Sequence, residues 1–180
     1  MQSTIRLLKL FILVIIFYSC SPMKQEYRTI TVKQFDIAKY QGVWYEIARF
    51  PSTFEKGLNN VTAEYQVRED GKLTVINKGY KGTPPSLSKI KGSAQIPDVS
   101  APGAIKVQFF WPFTSWYLVA DIEPQNYDWA LVTTPNRKYN WILSRKPAMD
   151  SETLNSILEK AHKIGIDTTR FEYVTHDKNE

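Results

Sequence analysis

The stretch NVTAEYQVREDGKLTVINKGY, residues 60–80, decides the fold class. Two runs rich in Val, Ile, Thr and Tyr, 60–67 and 72–80, flank Glu69-Asp70-Gly71-Lys72. An Asp-Gly pair between apolar runs signals a hairpin, because both central residues of the tight turn need positive φ. The same grammar continues outward. One run precedes it, at 43–50, and five follow, at 87–95, 104–110, 116–122, 128–134 and 139–145, with Pro135-Asn136-Arg137-Lys138 punctuating the last two. Eight sequential antiparallel strands with short links predict an all-β, up-and-down barrel wide enough for one small ligand. Periodicity alone leaves a two-sheet sandwich open as the competing architecture.

After the strands the period changes. Leu154, Ile157, Leu158, Ala161 and Ile164 recur at spacings of three and four, with Asp150 placed as N-cap and Gly165 as stop. This predicts one amphipathic helix lying against the outside of the β domain, followed by a short final strand. His162 falls on its polar side and His176 in the polar tail 176–180, and both read as surface residues.

The chain has 180 residues, 43% of them hydrophobic, which suits one globular domain and excludes a disordered chain. One Cys allows no internal disulfide, and two His leave little for an all-protein zinc site. Residues 1–19 carry Arg6 and Lys9, then a nine-residue apolar run from Leu10 to Tyr18, then a small Ser19. That is the order of a secretory signal, and the run is too short for about 30 Å of hydrocarbon. Without Arg6 and Lys9, 21 basic and 18 acidic residues remain, alternating along the chain, which gives no reason to expect nucleic acid as a partner.

Ser19-Cys20 resembles the lipobox of bacterial lipoproteins. The resemblance implies that Cys20 is acylated and becomes the new N-terminus; a plain signal peptide with an incidental Cys, or an uncleaved anchor, are the other readings. Residues 20–34, polar over 21–31, then read as a lipidated tether to a membrane.

Gly42-Val43-Trp44-Tyr45-Glu46-Ile47 resembles the Gly-x-Trp signature of lipocalins, and Asn126-Tyr127 and Trp141-Ile142-Leu143-Ser144-Arg145 resemble their second and third signatures, in the same order. Phe54-Glu55-Lys56-Gly57-Leu58, Asn77-Lys78-Gly79-Tyr80 and Pro135 to Arg145 are similar to the bacterial outer-membrane branch, which also includes apolipoprotein D and the plant temperature-induced lipocalins. The resemblance spans residues 35–175 as one domain. It implies a calyx for small hydrophobic ligands, fatty acids or lysophospholipids, in a lipoprotein of the Gram-negative outer membrane that faces the periplasm and serves envelope maintenance or stress. Ser21, in place of the Asp that retains enterobacterial lipoproteins in the inner membrane, fits this. No cofactor or metal is implied, and pairing of two copies stays open.

Physics assigns roles within that frame. A guanidinium of Arg145 over the indole of Trp44 gains about 0.5–2 kcal/mol and plugs one barrel end, while Gly42 supplies the backbone turn. These three are read as structural. With Trp44 inward, alternation turns Glu46, Ala48 and Phe50 inward too. The same rule makes Val61, Ala63, Tyr65, Val75, Asn77, Ile90, Val107, Phe109, Tyr139 and Trp141 calyx lining. The sixth strand phases either way; Trp116 and Leu118 are taken as lining over Tyr117 and Val119. Small residues such as Ala63, Gly92, Ala94 and Ala130 are expected to leave room for a ligand. The loop 51–60 frames the mouth, and the aromatic Phe109-Phe110-Trp111-Pro112-Phe113 is either an exposed patch near it, suited to acyl chains, a membrane surface or a second subunit, or buried strand-end packing. No Ser-His-Asp or paired-carboxylate spacing is evident, so no catalytic residue is assigned; a barrel enzyme acting on a lipid or isoprenoid, or a ligand-free envelope scaffold, are the alternatives.

Overall fold

The computed structural model describes residues 25–177; the export segment 1–19, Cys20 and residues 178–180 lie outside them. Eight antiparallel strands, β1 (Gly42–Arg49), β2 (Leu58–Val67), β3 (Leu73–Lys81), β4 (Ser86–Gln95), β5 (Ala104–Phe110), β6 (Phe113–Ile122), β7 (Trp129–Thr133) and β8 (Asn140–Ser144), pair in sequence order. Pairing of β1 with both β8 and β2 closes them into a barrel, which removes the sandwich alternative. A ninth strand, β9 (Glu172–Tyr173), adds outside against Ala48 and Arg49 of β1. The Asp70-Gly71 connection is looser than expected: only Gly71 takes positive φ (75°), and Arg68 N–H bonds Lys72 O across a wider loop.

Alternation holds except where bulges interrupt it. In β1 the register slips between Glu46 and Ala48, so two residues share one partner and the faces exchange. Trp44 points inward, but Ile47, Ala48 and Phe50 point outward, where they pack with Leu131, Ile142, Ile166 and Phe171. That outer patch receives the helix α3 (Ser151–Lys163) through Ile157 and Ala161. Asp150 caps the helix by accepting from Thr153 N–H at 2.8 Å, and Gly165 ends it at φ 81°.

The N-terminal arm departs from the tether expected over 20–34. Residues Gln25–Ile30 form a helix, α1, whose Tyr27 is buried against Ala101, Ala104 and Leu118 and meets the Trp116 ring edge-on at 5.6 Å. Arg28 pairs with Asp98 at 2.6 Å, and Val32 N–H bonds Val119 O at 3.0 Å. Tyr27 and Thr31, four residues apart, supply the buried stripe that a polar reading of this segment overlooks. The tail is also partly tied down: His176 Nε2 lies 2.9 Å from Glu46 O, with its ring edge-on to Tyr45.

One end of the barrel is sealed. A single turn, α2 (Ile37–Tyr40), capped by Asp36, crosses it and delivers Tyr40 beneath Trp44. The Arg145 guanidinium sits 3.8 Å from the Trp44 ring centroid and donates to Lys39 O (2.7 Å), Val43 O (2.9 Å) and Tyr127 O (3.2 Å). Gly42, at φ 90°, turns the chain beside it; a Cβ there would stand 3.6 Å from Arg145 Nη1. Arg145→Ala removes the cation–π contact and three carbonyl partners together. The expected loss is about 2–4 kcal/mol in urea unfolding, with little change in ligand affinity of the folded fraction. Arg145→Lys should not restore it, since one ammonium cannot reproduce the planar fork.

Candidate functional site

With one end closed by Trp44 and Arg145, the opposite end is the mouth, framed by the loops β1–β2, β3–β4, β5–β6 and β7–β8. The interior divides in depth. Its lower half is a packed core of Trp44, Leu73, Ala94, Ile105, Val119 and Ala130, among others. Above it three hydroxyls meet: Tyr40 and Tyr117 at 2.8 Å, and Tyr65 donating to Tyr117 at 3.0 Å. Burial pushes all three phenols up, Tyr65 to about 12, so they stay neutral and form a polar floor. From this floor an aromatic column climbs one wall through stacked Tyr117, Trp141 and Tyr139, ring centroids 6.2 Å apart at each step, to Phe54 in the mouth loop.

The expected lining residues fall into two groups. Ala63, Tyr65, Val75, Val107, Phe109 and Trp141 belong to the interior cluster or pack against it. Asn77 pairs with Ala63 and Ile90 in register and alternates with Leu73 and Val75, which turns Asn77 and Ile90 inward. Val61 faces Gly79 at the same level, and Tyr139 stacks on Trp141. Three expectations are corrected. Phe50 lies outside, edge-on to Phe171 at 4.9 Å, because the β1 bulge reversed its face. Trp116 and Leu118 lie outside under α1, and Tyr117 and Val119 take the interior places. Both faces of β6 are apolar there, so alternation carried no phase.

The small residues also act differently from the expectation. A Cβ on Gly92 would stand 2.7 Å from both Gln108 O and a ring carbon of Phe109, so the glycine seats that ring and leaves no void. Ala94 and Ala130 sit in the filled lower half. The lower half is therefore filled, and a ligand inside the barrel would have to sit in the upper half, above the tyrosine floor.

That upper half holds a charged group which parity could not find. The bulge turns Arg49 inward next to Glu46, with Nη1 donating to Glu46 Oε1 at 2.7 Å and both side chains almost wholly buried. Arg49 Nη2 also donates to Glu55 O (3.0 Å) and Leu58 O (2.9 Å), stapling both ends of the loop 51–57. The Glu55 carboxylate folds back to accept from Trp141 Nε1 (3.2 Å) and Ser52 Oγ (2.9 Å). Burial and the nearby Glu55 carboxylate push Glu46 up to about 8 against the pull of Arg49. Two carboxyls and one guanidinium are neutral when they hold one proton, which is the state a buried site favours. Asp121 of β6 faces out and pairs with Lys160 of α3 at 2.7 Å.

Among the described residues, one buried side-chain polar atom has no partner: Asn77 Oδ1, inside the barrel, accepts no hydrogen bond. A concavity of about 670 Å³ lies elsewhere, in an outer groove between the arm 32–39, Ile122, Tyr127 and Lys160. Its rim of Lys33, Asp36, Lys39, Asp121 and Lys160 is polar and open to water, which suits no apolar guest.

Comparison with known proteins agrees with this geometry. The family profile described as "Lipocalin-like domain" matches residues 35–176. The chain is 41% identical over 143 residues to the outer membrane lipoprotein Blc of Vibrio cholerae, covering 79% of this chain and 84% of that one. It is 40% identical over 156 residues to the protein of the same name in Escherichia coli K12, covering 87% and 88%. Among solved structures it is similar in fold to insecticyanin of Manduca sexta, with a TM-score of 0.66, 21% identity, and 82% and 84% coverage.

The buried proton carries a stability signature. Because the folded-state pKa of Glu46 lies above its ordinary value of 4.5, its contribution is full below pH 4.5 and lost as pH rises through about 8. Thermal unfolding followed from pH 5 to 9 should show a falling Tm, with this group adding at most about 1.4 kcal/mol per pH unit. Glu46→Gln should flatten that slope, and an unchanged slope would refute the assignment.

Proposed function

The chain belongs to the lipocalin family, and from that premise we propose that it is an outer-membrane lipoprotein, acylated at Cys20 and facing the periplasm, whose barrel takes up single-chain lipids such as fatty acids or lysophospholipids. Its relatives named outer membrane lipoprotein Blc support the compartment, and Ser19-Cys20 supplies the attachment chemistry. A polybasic or amphipathic device is not needed, because the acyl chains themselves hold a domain at a bilayer at about 0.8 kcal/mol per buried CH₂.

The observation that carries the ligand reading is Asn77 Oδ1. A buried amide oxygen left without a donor costs about 1–3 kcal/mol, and it faces an apolar half-barrel with an aromatic wall. A guest with an alkyl chain and a donor in its head group answers both features. Ten methylenes buried along Val61, Ile90 and Trp141 are worth roughly 8 kcal/mol before the cost of association. The tyrosine floor bounds the guest from below, and a head group that bonds Asn77 leaves the alkyl chain to run past Val61 towards the mouth.

The raised pKa of Glu46 is the feature an acid catalyst on the same barrel would need. Its carboxyl is instead engaged by Arg49 and Glu55, which ties it to the loop and supports binding over catalysis. Delipidated protein from residue 21 onward should show a shift in Trp emission and a rise in Tm with C14 to C18 fatty acids or lysophospholipids. Asn77→Leu should weaken lipids whose head groups donate by about tenfold, the worth of one hydrogen bond, and leave the matching methyl esters unaffected. No response to any of these lipids would refute the carrier reading and favour a filled scaffold.

A further inference from the structure

The mouth carries the most exposed aromatic surface among the described residues. Phe110, Trp111 and Phe113 at the β5–β6 tip are 66%, 86% and 75% exposed, and Phe54 on the β1–β2 loop across the mouth is 77% exposed. The sealed end shows only the single aliphatics Val43, Val67 and Val99. Isolated apolar residues are ordinary on a surface, but three exposed aromatics on one tip, with a fourth at the same end of the barrel, are not. The rim carries three exposed lysines, Lys56, Lys81 and Lys138, while Arg137 is paired with Glu26, the Glu55 carboxylate is turned inward, and Asp177 sits on Asn60 at the same end. Aromatic tips within a basic rim match an anionic phospholipid surface, with rings at the headgroup level and lysines on the phosphates.

The direction of the N-terminal arm adds an independent constraint. Val32 bonds Val119, midway down β6, whereas Tyr27 meets Trp116, three residues nearer the tip. One step earlier, Glu26 lies 3.8 Å from Arg137 in the mouth loop β7–β8. Read from Val32 back to Gln25, the arm thus climbs the barrel wall towards the aromatic tip. Residues 21–24 separate Gln25 from Cys20. Even fully extended, that connection reaches about 18 Å, enough for the tip to touch the bilayer holding the acyl chains. The sealed end lies roughly 20 Å further down the helix and β6, beyond that reach.

We propose that the aromatic mouth is a membrane-seating surface, which the arm 25–34 turns towards the same anionic phospholipid leaflet in which the acylated Cys20 is embedded. The barrel then opens directly onto lipid, and a single-chain guest passes between bilayer and calyx without crossing water. This inference rests on acylation at Cys20.

The test uses the full acylated chain in nanodiscs of phosphatidylethanolamine and phosphatidylglycerol carrying bromine on the upper acyl carbons. Mass spectrometry first establishes the acyl groups on Cys20. The Trp111 signal is the emission of the wild type less that of Trp111→Phe, a substitution on an exposed tip that leaves Tm unchanged. Seating predicts that bromolipid removes most of this difference signal and that aqueous acrylamide does not. A fluorophore on Gln125→Cys, in the loop β6–β7 at the sealed end, should remain accessible to acrylamide. An acylated chain whose Trp111 is open to acrylamide and unaffected by bromolipid overturns the proposal, as does quenching of the Gln125 probe by bromolipid. Shielding of Trp111 from both quenchers with two chains per disc assigns the surface to a second copy and also overturns it. Absence of acyl mass on Cys20 refutes the anchoring reading, and seating by this arm falls with it.

Discussion

Everything in this barrel is measured from the contact between Trp44 and Arg145. The indole fills the narrow end, and the guanidinium covers it while tying α2, β1 and the loop before β7 through three carbonyls. A closed sheet has no edge to offer, so a ligand can reach its interior only through an end. Sealing one end makes the other the entrance and stacks the remaining features in depth: packed core, tyrosine floor, a half-barrel with an unsatisfied amide, then the loops. If that plug were loose, Tyr40 would lose the Trp44 face it leans on, at 4.7 Å, and the floor its third hydroxyl.

The second constraint is the bulge in β1. A strand with unbroken alternation offers every second side chain to the interior, yet β1 must line a barrel and also carry a helix and β9 on its outside. Slipping register after Glu46 solves both demands. Glu46 and Arg49 face in, while Ile47, Ala48 and Phe50 face out to α3 and Phe171. Because Arg49 arrives inside beside Glu46, two charges are buried near the mouth, and a third group, Glu55, is drawn down from the loop to meet them. Burying such a group is costly unless it is neutral and hydrogen-bonded, and a Glu46 whose proton burial retains, within a cluster of five named hydrogen bonds, meets that requirement. The loop over the mouth is therefore held by a polar clasp on an otherwise apolar wall.

How far the sequence could be read follows from these two devices. The eight strands, the capped helix and the Gly42, Trp44, Arg145 set were legible because each rests on local chemistry: alternation, a capping carboxylate, a positive-φ glycine. Most inward positions on β2, β3, β5, β7 and β8 were legible for the same reason. Phe50 was not, since a bulge leaves no mark in composition and reverses every later residue of the strand. Arg49 and Glu55 were hidden with it. Gly92 misled in another way: a small residue signals close approach, and only the fold reveals that what approaches is the Phe109 ring.

Trp116 and Leu118 show why an apparent failure of patterning carries information. A strand apolar on both faces gives no phase from sequence, and the reason is that both faces are covered, one by the barrel core and the other by Tyr27, Ala101 and Ala104. An outer face worth burying implies something that must be kept there. What it holds is the arm leading to Cys20, fixed by the Tyr27 ring, the Arg28–Asp98 pair and the Val32 hydrogen bond. A freely jointed tether would let the barrel present any side to the bilayer. An arm packed along β6 restricts that choice to the orientations its short remaining connection can reach, and with Cys20 acylated as proposed those would place the mouth, with its aromatic tip, next to lipid. The two-sided apolar character of β6 thus belongs to the orientation of the barrel as much as to its core.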